Sequence, residues 1–178
     1  FYLRHYSAFA DEIFVYDDGS KDGGKDLVRA CPKATLRDWK FPHGLHDSYF
    51  MEFWQQQIRQ AREDKVDWLM VSDIDEVLWH SDMRLLLENS GRWDVIPSSG
   101  WNMVGAGLPK DDGNSQIWQL WNIGTPAPIY RTCIIFQPSA DIGWDRGRHH
   151  LTNPSPKLSP ESVKLLHYRY MGLAYTSI

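Results

Sequence analysis

Three carboxylates crowd into four residues at Asp73, Asp75 and Glu76, within the run Trp68-Leu69-Met70-Val71-Ser72-Asp73-Ile74-Asp75-Glu76-Val77-Leu78-Trp79. Like charges this close repel one another, and a bound cation relieves the repulsion. Mg²⁺ and Mn²⁺ suit such a cluster, because they prefer hard oxygen donors and take one or two carboxylates together with phosphate oxygens. On an extended turn, the spacing of Asp73 and Asp75 sends both side chains to the same side. One can then ligate a metal while the other holds the metal or a ribose. The bland alternative is a strand-to-loop turn with solvated acids, which the crowding disfavours.

A second acidic turn comes earlier, in Val15-Tyr16-Asp17-Asp18-Gly19-Ser20-Lys21-Asp22-Gly23. A carboxylate at a strand end can accept hydrogen bonds from a nucleobase N–H or from ribose hydroxyls, and Gly19 lets a ligand approach the backbone. Asp, Gly and Ser also make ordinary turns, and Asp22 can cap a helix. The nine tryptophans are Trp39, Trp54, Trp68, Trp79, Trp93, Trp101, Trp118, Trp121 and Trp144. Packing accounts for most tryptophans; stacking on the C–H faces of sugars is the functional alternative.

Periodicity gives the elements that carry these turns. Residues 1–9 read as a helix, Ile13-Phe14-Val15-Tyr16 as a buried strand, 22–30 as a helix stopped by Pro32, and 34–37 as a second strand. Residues 39–46 read as a loop. A long helix over 47–64 has Phe50, Phe53, Trp54, Ile58 and Ala61 at helical spacing. The apolar strand 67–71 runs straight into the second set of acids, and 83–88 reads as a helix. From Trp93 onward the pattern is β-like, with strands at 93–96, 100–104, 117–121 and 130–136. A polar loop over 140–159 and a last strand over 162–168 follow. The alternation implies an α/β fold: a mixed, mainly parallel sheet with helices on both faces and a β-richer second half. Ligands of such sheets bind beyond the carboxyl ends of the strands, where both acidic turns fall.

The bulk properties bound the answer. The chain has 178 residues, suited to one domain, with a net charge of −4 and no basic excess to neutralise nucleic-acid phosphates. Two cysteines, Cys31 and Cys133, allow at most one bridge, and such sparse usage points to a reducing, cytoplasmic setting. No apolar run is long enough for a transmembrane span. The sequence lacks an initiator Met, opens inside a predicted helix and stops on an apolar run, which reads as a domain trimmed at both ends.

The ordered set D-D-G-S-x-D, a second βα unit, then an apolar strand and D-x-D resembles family 2 glycosyltransferases. W-L-M-V-S-D-I-D-E-V-L, the opening L-R-H-Y-S-A-F-A-D-E-I-F-V-Y-D-D-G-S and the late His167-Tyr168-Arg169-Tyr170 are similar to a subgroup with D-x-D-E. The resemblance spans most of residues 1–172. It implies a GT-A-like (Rossmann-like) fold, with residues 1–99 binding a nucleotide-sugar and 100–178 facing the acceptor. It implies that Asp17 or Asp18, beside Gly19, contacts the base. Asp73 and Asp75 would bind ribose, diphosphate and Mn²⁺ or Mg²⁺, with His167 at the metal or the phosphates. Arg59 or Arg62 on the long helix would face the diphosphate, although a solvated helix face explains them as well. Members of the family usually carry one strand before this region and a helix after H-Y-R.

The activity implied is that of a hexosyl-transferring enzyme: an acceptor hydroxyl of a glycan, lipid or protein displaces a nucleoside diphosphate with inversion. A bound cation offsets charge on the leaving group, and a carboxylate or His takes the hydroxyl proton. Asp145 is the candidate base, with a salt bridge to Arg146 or Arg148 as its plain alternative. Trp144 would offer an acceptor platform, and His150, with His149, an acceptor or metal contact or an ordinary surface pair. Asp111 and Asp112 are further base candidates. Two rival readings stand beside this one. A haloacid-dehalogenase-type phosphatase would use Asp73 as nucleophile and Asp75 as acid/base. A non-catalytic carbohydrate-binding protein would explain the tryptophans.

Overall fold

The computed structural model describes residues 1–40, 47–107, 109–130, 134–140, 142–143 and 155–171. The fold is mixed α/β, with parallel and antiparallel strands in small sheets. The chain opens with helix α1 (Tyr2–Tyr6), then strand β1 (Ile13–Asp17), helix α2 (Gly24–Arg29) and strand β2 (Ala34–Asp38). β1 and β2 pair in parallel, Ile13 against Ala34 through Asp17 against Asp38, as a βαβ alternation requires. The long helix α3 (Asp47–Glu63) follows, then β3 (Leu69–Met70), β4 (Glu76–Trp79), α4 (Met83–Asn89), β5 (Val95–Ile96) and β6 (Ser98–Gly105). Helix α5 (Ile117–Leu120), β7 (Gly124–Pro126), a 3₁₀ turn (Pro128–Tyr130), β8 (Ile135–Phe136) and β9 (Val163–Met171) complete it.

Among the described residues, two further sheets hold the rest of the strands. β8 lies between β3 and β5, antiparallel to both. The other sheet has the order β4-β9-β6-β7, with only the β9–β6 pair parallel. The mixed α/β class expected from the sequence is what forms, but among the described residues most strand pairs are antiparallel and not parallel. The βαβ alternation stops after α3, and where strands follow one another without long crossover helices, antiparallel pairing is the easier solution.

The core explains the layering. Leu78, Ile135, Phe136 and Leu165 are 0 % exposed and draw β4, β8 and β9 together. Leu78 and Leu165 share one apolar cluster with Tyr6, Phe9 and Ile13, so α1 and β1 cover the face of β4 and β9. α3 joins the two halves: Phe53 packs on Tyr16 and Trp39 with ring centroids 4.7 and 4.4 Å apart. Along the same helix, Ile58, Met51 and Trp54 meet Val71 and Phe136. The ends of β1 and β3 thus dock on the same helix.

β4 is an outer strand whose second edge is closed by side chains. Tyr6 donates its hydroxyl to the Glu76 carbonyl at 3.0 Å and accepts the Leu78 amide at 3.1 Å. The His5 ring nitrogen Nε2 meets the Leu78 carbonyl at 2.8 Å. Buried backbone groups must find partners, and α1 supplies them here in place of a strand.

Several sequence expectations change. Where a strand was expected over 117–121, Ile117–Leu120 form helix α5: the Gln116 amide donates to Gln119 Oε1 at 2.8 Å, fixing a first turn. Trp121 then lies on Gly105, where an added Cβ would sit 2.4 Å from its ring. Glu76–Trp79 is a further strand, in a stretch to which the sequence pattern assigned no element. The strand expected at 130–136 is confined to Ile135–Phe136 among the described residues. Cys31 is a free thiol, and Cys133 lies outside the described residues. No helix among them is long and apolar enough to cross a membrane.

Candidate functional site

The first acidic turn is held by its own leading residue. Asp17 Oδ2 accepts the amides of Gly19 and Ser20 at 2.8 and 3.0 Å, and pairs with Lys25 Nζ at 2.9 Å. Gly19 sits at φ +89°, a region that glycine alone enters without strain. Hydrogen bonding from Ser20, then the Lys25 ammonium, holds the Asp17 carboxyl well below the usual carboxylate range. Asp17 therefore shapes the loop, and Asp18, exposed at its crest, is the acid turned toward solvent.

The second acidic turn is tighter than the extended geometry expected from its spacing. The Glu76 amide donates to the Asp73 carbonyl at 3.1 Å, closing a β-turn over Ile74 and Asp75. The Glu76 carboxylate reaches back and accepts the Asp73 amide at 2.9 Å. Asp73 and Ile74 are exposed, Asp75 is half-buried, and Glu76 is buried. The Asp75 carbonyl accepts the Tyr168 amide at 2.8 Å, which fastens the turn to β9. Beneath it, the Tyr2 hydroxyl and Ser72 Oγ are 2.9 Å apart. Burial, opposed in part by that hydrogen bond, pushes the Tyr2 phenol up to about 12.

β9 brings in the distant partner. His167 Nε2 lies 3.4 Å from Asp75 Oδ2. The hydrogen bond from His167, working against burial, holds the Asp75 carboxyl below its ordinary value. Burial disfavours charge on His167, but the carboxylates of Asp75 and Glu76 outweigh it, and its affinity for a proton is raised. The register places Glu76, His167, Asn102 and Thr125 in one row across β4, β9, β6 and β7. Directly paired residues share a face of the sheet, so a polar rung crosses an otherwise apolar layer. Asn102 Oδ1 is buried in that rung without a hydrogen-bond partner among the described residues.

Other candidates separate from this centre. Arg59 is exposed on α3. Arg62 Nε donates to the Pro138 carbonyl at 2.9 Å and so pins a turn. Asp111 is bound by Arg4 at 2.7 Å and by the Gly113 amide. Asp112 accepts from Ser115 and Asn114, which bring its carboxyl down to about 2. Both are fixtures of their loop. Asp145, Trp144, His149 and His150 lie outside the described residues. Trp79, Trp101, Trp118 and Trp121 pack beside the cluster of Val77 and Leu166, on the opposite face of the sheet from His167.

The site thus brings His167, late in the chain, to Asp73 and Asp75 near its middle; it gives Glu76, read in the sequence only as one of the crowded acids, a place inside the turn, and adds Asn102 and Tyr2, which the sequence did not single out. Among the described residues, no group of three or more His, Cys, Asp or Glu side chains is arranged to hold a metal ion by itself. No protein-family model matches this chain, and no curated protein matches it either.

Proposed function

We propose that this chain is a metal-dependent glycosyltransferase of GT-A-like organisation, which moves a sugar from a nucleoside-diphosphate donor to an acceptor hydroxyl with inversion. The observation that carries the reading is the approach of His167 to Asp75, 3.4 Å apart across a turn that also presents Asp73. Cis ligands on one octahedral ion with bonds of about 2.1 Å lie about 3 Å apart. The pair is within a few tenths of an ångström of that spacing; the carboxylate suits Mn²⁺ and Mg²⁺ alike, and the imidazole nitrogen favours the softer Mn²⁺ of the two. Two or three protein donors leave room for the phosphate oxygens that such ions commonly keep as partners.

Asp75 and His167 would hold the ion, with Asp73 at the rim toward the ribose or the metal. When bound, the ion would act as a Lewis acid that offsets charge on the departing diphosphate. The chain's own residues do the rest. The Asp17 turn keeps Asp18 and Gly19 open to a nucleobase or ribose. Tyr2, Ser72 and the buried rung of β4, β9 and β6 stiffen the floor beneath the acids. Asp145, with Trp144 and His150, remains the proposed acceptor side. The phosphatase alternative needs Asp75 to donate a proton, and the His167 contact that keeps Asp75 ionised works against it.

The test is a thermal-shift screen of nucleoside diphosphates with and without Mn²⁺. One nucleotide is expected to stabilise the protein only with the metal, with the shift lost in Asp75→Ala. A folded sample that responds to no nucleotide would overturn the reading. Aspartyl-phosphate trapping at Asp73 with beryllium fluoride would favour the phosphatase.

A further inference from the structure

The Asp73–Glu76 turn contains an acid that does not face the rim. Glu76 is 8 % exposed, and a carboxylate taken out of water must be compensated by hydrogen bonds or charge. Its Oε2 takes the Asp73 amide at 2.9 Å, its own amide gives to the Asp73 carbonyl at 3.1 Å, and its carbonyl takes the Tyr6 hydroxyl at 3.0 Å. Side chain, amide and carbonyl of this one residue tie the turn to itself and to α1. The first residue of β4 also stands opposite His167 in the strand register. A third negative charge next to Asp73 and Asp75 is unfavourable by itself, so its retention in a buried place needs a reason.

We infer that Glu76 is the positioning residue of this site: by gripping the Asp73 amide from inside, its carboxylate sets the turn that offers Asp73 and Asp75 to a cation and diphosphate. The ligand named here rests on the glycosyltransferase reading; the grip on the turn does not. Two methylenes are needed to reach back three residues, and an acceptor oxygen must arrive at the amide. Gln satisfies both conditions without charge. Asp keeps the charge but falls about 1.5 Å short.

The experiment compares Glu76→Gln, Glu76→Asp and Glu76→Ala in the same chain. Amide hydrogen exchange at Asp73, followed by NMR, reads the grip directly. Mn²⁺-dependent binding of UDP, GDP, CDP and ADP by calorimetry reads its consequence. Expected are Asp73 exchange within about threefold of the parent protein for Gln, and at least about tenfold faster for Asp and Ala. Affinity for the nucleotide that the parent protein binds should follow the same order, with Asp weaker than Gln by about tenfold or more. A residue acting as a metal ligand through its charge would give the reverse order, with Gln the worse variant. That reversal, or Asp73 exchange unchanged in Glu76→Asp, overturns the inference. Should Glu76→Ala not fold, the Gln and Asp pair decides. A parent protein that binds none of the four nucleotides refutes the glycosyltransferase reading, and Asp73 exchange then decides the role of Glu76 alone.

Discussion

Removing one oxygen atom tests how β4 is held. In Tyr6→Phe the ring stays in the core, where Tyr6 is 4 % exposed, and only the hydroxyl that bridges the Glu76 carbonyl and the Leu78 amide is lost. Both backbone groups sit on the edge of β4 under α1, away from water. A buried polar group left without its partner costs about 1–3 kcal/mol, and two such groups are exposed to that penalty here. Because the carbonyl and amide share one donor-acceptor atom, the two losses do not add fully, and a total of about 2–4 kcal/mol is expected. For a chain of this size each kcal/mol lowers Tm by about 2–4 °C, so a drop of about 4–16 °C follows. Urea unfolding at constant m-value measures the free energy, and hydrogen exchange at Leu78 reports the local cause. Tyr2→Phe is the internal control, since its hydroxyl meets only Ser72 Oγ among the described residues, and about 0.5–1.5 kcal/mol is expected there. A Tyr6→Phe protein within about 0.5 kcal/mol of the parent would refute the idea that a side chain stands in for a missing strand at this edge.

The remaining predictions concern the Asp17 turn and the packing beside α5. The Asp17 carboxyl, held down by Ser20 and Lys25, should remain ionised in the folded protein at a pH where a free aspartate is half protonated, about 3.9. Because its folded value is depressed, the stability it contributes is present above that unfolded value and is lost as pH falls through the folded one; carboxyl ¹³C titration would show it, and an ordinary titration would count against the Asp17 turn as described. Gly105→Ala should destabilise by about 1–3 kcal/mol, because the new methyl meets the rigid Trp121 ring, and Gly105→Ala combined with Trp121→Leu should recover part of the loss in the same urea assay.

Short-range chemistry was legible in the sequence and register was not. The strand Ile13–Asp17, the long helix with Phe53 and Ile58 inward, and the helix starting at Met83 follow from local periodicity and caps. Ile117-Trp118-Gln119-Leu120 is a short, mostly apolar run of the kind that reads as a strand, and the pairing of Gln116 with Gln119 starts it as a helix. Glu76–Trp79 was hidden because its first residue looks like a continuation of the acids before it. For the site, Asp73, Asp75 and His167 were nameable by resemblance, whereas the roles of Glu76 and Asn102 depend on which residues β9 places opposite them. A single sequence carries no record of that alignment. The commitment of Asp17 to its own turn was equally invisible, since a carboxylate that closes a loop and one that awaits a ligand have the same spelling.

The position of β9 has a consequence for how the molecule comes into being. Both its neighbours, β4 and β6, belong to the first 105 residues, yet they do not pair with each other; the last described strand lies between them. On a ribosome these two segments emerge with a gap one strand wide, which stays unfilled until residues 163–171 are made. Such long-range closure is slow and leaves strand edges bare in the interval. His167 arrives with the closing strand, so the imidazole joins Asp75 in the same event that completes the sheet, and a half-made chain holds the acids without their partner.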